Sequence, residues 1–409
     1  MFSDCYYPRV NGVVVSIHSY AEELIKRGHN VCIVTVEYPD EYIFGKGIDS
    51  TGGIIDSPNF SLVRLLSHSV IFSKEDRAAK FEQWFFLKKK MDEYKPDIIH
   101  INSEWMVGYF GASYARHRGI PYIFTFHTLW EDYIQNYAPL LNEKISKKIG
   151  RDIVKFYLKS ADYIIAPTRR IVQTVKDYGI DSFVEQIPTG ISNSMYNLDN
   201  DVLEKQKDVL YNKFPEIKNK RILLFAGRVA KEKNISFLLP VLKEVNKRVS
   251  AENQAILLIA GDGLYMPELK DLVQSENLQD SVFYLGYIER QSLASLYKIA
   301  DVFTFPSKTE TQGLVTVESM AMGLPVVAIG EMGTVDVMQG DNGGFMVPED
   351  VDIFAEKVSL LLSDSSVYEQ KVQECLKWSK QWTISSLTDK LEKAYEHCIN
   401  LKQEKKAYK

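Results

Sequence analysis

The sequence predicts an α/β protein made of two doubly wound domains. Three observations carry that expectation. Short apolar, β-branched runs alternate with amphipathic helical patterns along almost all of the 409 residues, as in parallel sheets covered on both faces. Within the runs there is no simple apolar–polar alternation, so neither face is left to solvent. The series is interrupted once, at Gln186-Ile-Pro-Thr-Gly-Ile191, and a polar, lysine-rich stretch over 199–220 follows. We therefore expect one domain over 1-190, a second over 191-380 and a C-terminal helical segment over 381-409. Doubly wound sheets bind ligands beyond the carboxyl ends of their strands, so two of them are expected to face each other across a cleft.

Taken in order, strands are expected at 30–36, 97–101, 122–126 and 163–167 in the first series. The second series is expected at 221–226, 255–260, 282–285, 302–305 and 325–329, with helices such as 235–247 and 351–362 between strands. The start is anomalous. A domain of this kind opens on a hydrophobic strand of about five or six residues, yet only Met1-Phe2 precedes Ser3-Asp4-Cys5-Tyr6-Tyr7-Pro8. Either that strand is nearly absent or the true start lies several residues upstream; we read the second.

Composition narrows the classes. A hydrophobic share of 45% and a charged share of 25% are ordinary for a globular chain and exclude a disordered, collagen-like or coiled-coil protein. No run approaches the roughly 18 apolar residues of a membrane-spanning helix. The Met-Phe-Ser-Asp start lacks a basic region followed by an apolar one, so no signal peptide is expected. The formal charge of 49 − 54 = −5 argues against a nucleic-acid partner. Cys5, Cys32, Cys375 and Cys398 are scattered without a CxxC spacing and read as reduced thiols of a cytoplasmic chain.

The richest segment runs from Phe303 through Glu310, Gly313 and Glu318 to Gly323-Leu-Pro325-Val-Val. It reads as strand, loop, helix, stop, strand: Gly323 suits a left-handed helix end, and Pro325 bars continuation. A helix beginning near Gly313 leaves the N–H groups of Gly313, Leu314 and Val315 free, an anion site suited to a diphosphate. Glu310 and Glu318 bracket it. They suit a sugar and a ribose on either side of the phosphates; the alternative is a helix-start acid and a buried acid with structural partners. In Leu224-Phe-Ala-Gly227-Arg228-Val-Ala-Lys-Glu-Lys233-Asn, two cations follow a strand ending in glycine. There they can neutralise the charge growing on a leaving diphosphate; elsewhere such a pair is surface decoration.

Further candidates also sit at strand ends. Ala260-Gly-Asp-Gly263 is a glycine turn, and Phe283-Tyr-Leu-Gly286-Tyr287-Ile288 a loop after a strand. Gly12 lies in a turn leading into a helix, where a missing side chain lets backbone approach a phosphate. His127 follows the strand of 122–126. Glu104 and Glu131 either bind acceptor hydroxyls or serve as a surface pair or helix caps. Asp350-Val-Asp352 mimics a metal-binding DxD but precedes a helix, where Asp is a routine cap. The seven histidines show no metal-ligand spacing, so no metal site and no permanently bound cofactor is expected.

Glu310–seven–Glu318, with the Arg228-x4-Lys233 segment, resembles the signature of the retaining glycosyltransferases of family 4, which have the GT-B fold. The likeness covers nearly the whole chain, from Phe2 to about Tyr395. It implies a nucleotide sugar as co-substrate, with Glu310 on the transferred sugar and Glu318 on the ribose. Arg228 and Lys233 would hold the phosphates, Tyr287 and Ile288 the base by main-chain groups, and Gly12 the phosphates from the opposite side. His127 would donate a hydrogen bond to a sugar hydroxyl. Where the family's glycine turn usually continues with proline, this chain has Leu264. The helical segment 385–401, after Trp378 and Trp382, resembles the one that crosses back onto the first domain in GT-B enzymes.

Asn11-Gly-Val-Val, the His-Thr-x-x-Glu-Asp-Tyr of 127–133, and Thr-Gln-Gly-Leu-Val of 311–315 further resemble the diacylglycerol glucosyltransferase branch. That implies a lipid acceptor, a uridine diphosphate donor carrying glucose or galactose, and a peripheral position on the inner face of the cell membrane. Residues 143–170 hold eight cations against three anions. Lys144, Lys147, Lys148, Arg151 and Lys155 recur at helical spacing beside Ile145, Ile149, Ile153 and Phe156, a pattern that binds anionic lipid surfaces or is simply a solvated helix face. Trp84-Phe-Phe-Leu-Lys-Lys-Lys90 is a second such segment. A polysaccharide, polyprenol-linked or small-molecule acceptor, or a nucleotide-sugar epimerase, remain the rival readings. Oligomeric state is not indicated.

Overall fold

The structure, a computed structural model, describes residues 1–9, 11–39, 55–70, 73–127, 142–191, 198–288, 290–310 and 312–407. Two compact units result: Met1–Gly190 with Ile384–Lys409, and Ile191–Thr383.

In the first unit, Asn11 caps helix α1 (Gly12–Lys26) by accepting from the Val14 N–H at 2.9 Å. The fully buried β1 (Val31–Val36) follows, then β2 (Phe60–Leu65) parallel beside it and an antiparallel hairpin of β3 (Ser67–Val70) and β4 (Ser73–Ala79). Next come α2 (Gln83–Tyr94), β5 (Ile99–Ile101), α3 (Met106–Arg118), β6 (Tyr122–Thr125), α4 (Glu143–Ser160), β7 (Tyr163–Ala166), α5 (Arg169–Asp177) and β8 (Val184–Gln186). Strands β5, β6, β7 and β8 are parallel and adjacent in that order. Between β1 and β5 stands one residue, Phe2, bridging Val34 on one side and Ile101 on the other. The short opening segment therefore does occupy the central place of the sheet, but for a single bridge on each side.

The second unit carries α6 (Asn200–Lys213), β9 (Arg221–Ala226), α7 (Leu238–Arg248), β10 (Ala255–Ala260), α8 (Met266–Ser275), β11 (Val282–Gly286) and α9 (Arg290–Ile299). Then follow β12 (Val302–Phe305), α10 (Leu314–Ala321), β13 (Val326–Ile329), α11 (Gly333–Val337), β14 (Gly344–Val347), α12 (Val351–Ser363) and α13 (Ser365–Ser379). Its strands run parallel in the order β11-β10-β9-β12-β13-β14. Sequence order reverses between β9 and β12, and such a switch point opens a crevice at the strands' carboxyl ends. Trp382 is buried in this unit's core, and Trp378 donates to the Val337 carbonyl at 2.8 Å.

Helix α14 (Ile384–Ala407) belongs to the first unit. Its Ile384, Leu387, Leu391, Ala394 and Cys398 pack with Val14, Ile17, Tyr20, Ala21 and Leu24 of α1, a contact of two apolar stripes at three- and four-residue spacing. Arg27, just past α1, clamps it through Asp389 at 2.6 Å and Glu392 at 2.5 Å.

The expected strands are all present, most of them shorter by one or two residues. Strands β2, β3, β4, β8 and β14 were not foreseen. None of them has a sustained β-branched run, and most lie at sheet edges where a single partner suffices.

Candidate functional site

In the second unit the site is assembled at the switch point. After β9 the chain turns at Gly227 and reaches Lys233 through a short 3-10 turn, Lys231–Lys233, closed by Asn234 in the left-handed region at φ 56°. After β12 it reaches Glu310. Lys233 Nζ donates to Glu310 Oε1, and both side chains are largely sheltered, at 16% and 18% exposure. The Glu310 carbonyl also accepts from the Gly333 N–H at 2.9 Å, tying this loop to the start of α11.

Gly313 caps α10 at φ 62°, a left-handed conformation costly for a side chain. The first N–H bonded within the turn is that of Thr316, to the Gly313 carbonyl at 3.0 Å. Those of Gly313, Leu314 and Val315 have no hydrogen-bond partner among the described residues, so the positive helix end is open. Glu318, in the second turn of α10, is buried at 5% exposure with the Tyr297 hydroxyl 3.5 Å from its Oε2. Gly323 ends the segment at φ 75°.

Arg228 is placed differently from Lys233. Its guanidinium binds Glu232 at 2.6 Å and is 69% exposed; among the described residues no ion pair joins it to Glu310. The Arg-x4-Lys spacing therefore sets one cation on the carboxylate and leaves the other on a solvent-facing tether. Gly261 packs so closely that a Cβ there would lie 1.8 Å from the Gly227 carbonyl oxygen, which locks the β9 and β10 turns together. Beyond β11, Tyr287 is exposed at 78%, while Ile288 packs on the core. Leu264, where proline was the pattern, is fully exposed. Asp350 is a helix cap, accepting from Ile353 N–H at 3.0 Å.

In the first unit, His127 follows β6, half-buried, with Nε2 3.2 Å from Asn102 Oδ1. Burial lowers its imidazole to about 4, so the ring is neutral at neutral pH. His100 is gripped by the Tyr395 hydroxyl at 2.7 Å and Thr125 Oγ1 at 2.6 Å, and burial holds it neutral too. Gly12, the first residue of α1, is exposed with nothing within 4 Å of a Cβ position. It keeps that helix end uncovered rather than relieving a clash. Glu104 is buried at 6%, which corrects the surface-pair alternative. Glu131 lies outside the described residues.

The cap of α3 is Asp4, unsuspected from sequence: its carboxylate accepts from Ser103 Oγ at 2.6 Å, Val107 N–H at 2.8 Å and Gly108 N–H at 3.3 Å. Asn102 was likewise missed. Its only signal was its place, two residues after His100 at the end of β5.

The basic segment is helix α4. Ser146, Gly150, Val154, Tyr157 and Leu158 are buried, while Ile145, Ile149, Ile153 and Phe156 form a second apolar stripe 37–54% exposed. Lys144, Lys148 and Arg151 are exposed beside it, and Lys147 and Lys155 are half-buried. Phe156 stacks on Tyr109, which adjoins Phe110, itself against Phe81. Phe85 and Phe86 on α2 are exposed as well, at 74% and 44%. An exposed apolar stripe such as that of α4 on a globular surface marks an interaction site. Among the described residues no helix is long and apolar enough to cross a membrane.

Comparison with known proteins agrees with this geometry. Residues 10–194 match the family model described as Glycosyltransferase Family 4, and residues 206–380 the one described as Glycosyl transferases group 1. The chain is 30% identical to an alpha-monoglucosyldiacylglycerol synthase of Streptococcus pneumoniae (strain ATCC BAA-255 / R6), over 92% of this chain and 81% of that one. It is 29% identical to the protein of the same name from Acholeplasma laidlawii, over 84% and 83%. The fold is shared with Anabaena HepE, solved in complex with UDP, at a TM-score of 0.71 and 14% identity, covering 95% of this chain and 97% of that one.

Proposed function

We infer the reaction from one premise: the chain belongs to glycosyltransferase family 4 and is a hexosyltransferase of GT-B fold. We propose that it transfers glucose from a uridine diphosphate donor to a diacylglycerol at an anionic membrane surface, with retention at the anomeric carbon. The observation that carries the donor side is the Lys233–Glu310 pair beside the open amino end of α10. The two relatives named as monoglucosyldiacylglycerol synthases and the exposed apolar-and-basic face of α4 support the lipid acceptor.

In this reading the diphosphate lies against the N–H groups of Gly313, Leu314 and Val315, with Lys233 as counter-charge. As the bond from the anomeric carbon to phosphate oxygen lengthens, negative charge grows where the ammonium and helix end already point. Glu310 accepts hydrogen bonds from the sugar's hydroxyls and orients the ring. Glu318, sheltered at the second turn of α10, takes the ribose hydroxyls. The acceptor hydroxyl attacks the face the phosphate leaves, and the departing phosphate oxygen takes its proton. His127, neutral, hydrogen-bonds the sugar without moving a proton. Arg228 swings from Glu232 to the phosphates once the donor is bound.

The test is a panel of labelled nucleotide sugars offered with and without diacylglycerol vesicles, with the product identified by mass and linkage. Labelled glucosyl-diacylglycerol is the expected product. Transfer confined to a water-soluble acceptor would replace the lipid reading, and release of an isomerised nucleotide sugar without acceptor would replace transfer itself.

A further inference from the structure

The loops that carry Lys233 and Glu310 are joined by a residue that belongs to neither. Asn234 follows Lys233 in the left-handed region, which asparagine tolerates better than most side chains. Its Nδ2 donates to Glu349 Oε1 at 2.7 Å and to the Pro306 carbonyl at 3.4 Å. Both partners can only accept, so chemistry fixes which way the amide lies. The other carboxylate oxygen of Glu349 accepts from Lys308 Nζ at 2.8 Å. Lys308 stands two residues before Glu310.

A single carboxylate therefore spans both loops, Oε1 holding the one after β9 and Oε2 the one after β12. Its own backbone is fixed from elsewhere. Glu349 follows β14 and lies between Pro348 and Asp350; the Asp350 N–H bonds the Pro348 carbonyl at 2.8 Å, and its side chain caps α12. The Lys308 ammonium, helped by the Asn234 amide, holds the Glu349 carboxyl below its usual range, so the group is an anion at neutral pH. Ile235 is buried in the core just past Asn234, whereas Lys231, on the other side of Lys233, is 80% exposed. The anchorage of Lys233 thus comes from its carboxyl-terminal side, where the amide arm attaches. A longer contact runs beside it, from Thr309 Oγ1 to the Glu232 carbonyl at 3.4 Å.

We propose, on the donor-side reading given above, that Glu349 is a positioning residue of the transfer site. Its carboxylate clasps the two loops through Asn234 and Lys308 and holds Lys233 against Glu310 before the donor arrives. Charge stabilisation of this kind works only where the ammonium already stands at the place charge will grow, and a misplacement of about 1 Å can cost about 100-fold in rate. As an ion pair, Lys308–Glu349 is 38% exposed on both sides and adds little to stability. Its use lies in geometry.

Two variants test the clasp. Glu349→Ala removes it, and Asn234→Gly removes only the amide arm while keeping a residue at ease in the left-handed region. Each should lower kcat by about tenfold with Tm little changed. On a Lys233→Met background, Asn234→Gly should cost less than about threefold more, because that arm acts through Lys233. Amide hydrogen exchange is also read without any donor at Lys233 and Asn234, whose N–H groups bond the Ala230 and Lys231 carbonyls. It should quicken at least about tenfold in both variants. An equal loss from Asn234→Gly in both backgrounds overturns the proposal, since the residue would then act on the donor or on the fold at large. Unchanged kcat or unchanged exchange overturns it too, leaving a surface ion pair. Should the unaltered chain transfer sugar from no nucleotide donor, the donor-side reading falls and the positioning role with it, while exchange still shows whether the clasp holds the loop.

Discussion

Lys233 and Glu310 meet across the one place where the strand order of the second sheet reverses, the ammonium arriving from the β9 side and the carboxylate from the β12 side. Each is the other's counter-ion in a sheltered spot, at 16% and 18% exposure.

Replacing Lys233 with Met removes the counter-charge while keeping the length of the side chain. Transfer should fall by about 100-fold or more, the scale of losing one preorganised charge-stabilising donor. Stability should change by about 1–3 kcal/mol, because Glu310 loses its partner in a sheltered position. Initial rates and a thermal melt check both; full activity would remove Lys233 from the chemistry.

Arg228 sits exposed on Glu232, so Arg228→Ala should alter stability by less than about 0.5 kcal/mol. Its effect should appear in kcat/KM for the donor, roughly tenfold, and should shrink as salt rises. An equal loss at all ionic strengths would place Arg228 elsewhere in the cycle.

His127 is lowered to about 4 from an ordinary 6.5, and His100 is lowered too. The unfolded chain therefore binds protons that the folded first unit refuses. Stability from this source is complete above pH 6.5 and is lost as pH falls towards 4. A urea titration across that range should show Cm falling, and His127→Gln should flatten the curve. An unchanged slope in the variant would show that His127 is not the group that loses stability as pH falls.

Phe85 and Phe86 lie exposed on α2, and Ile149 on α4. Changing all three to Ser should reduce partition onto anionic vesicles at least tenfold, since burying even one such side chain is worth about 1.5–3 kcal/mol. Neutralising Lys147, Lys148 and Arg151 should weaken binding chiefly at low salt. Undiminished sedimentation in both variants would leave the apolar face to another partner.

Much of this was legible beforehand because buried parallel strands must be apolar along their whole length. Runs such as Ile222–Ala226 and Ile256–Ala260 therefore announce themselves, and Gly323 and Pro325 mark a helix end by backbone sterics alone. What stayed hidden depends on tertiary partners. The hairpin of β3 and β4 is polar because it is not a core element, and Val184–Gln186 is an edge strand with only β7 beside it. Asp4 became a helix cap only through the fold, which carries it to a helix about 100 residues away along the chain. Spacing could suggest that Arg228 and Lys233 act together. It could not reveal that Glu232 competes for the arginine.

The division of the core has a consequence for biosynthesis. Helix α14 supplies a layer of the first unit, yet it leaves the ribosome only after the entire second unit. The amino-terminal half must therefore wait, incompletely covered along α1, while the later half is free to fold around β9 to β14 on its own. A nascent chain stalled at Thr383 should accordingly present a protease-resistant second half behind a protease-sensitive first half, the reverse of the order in which they are made.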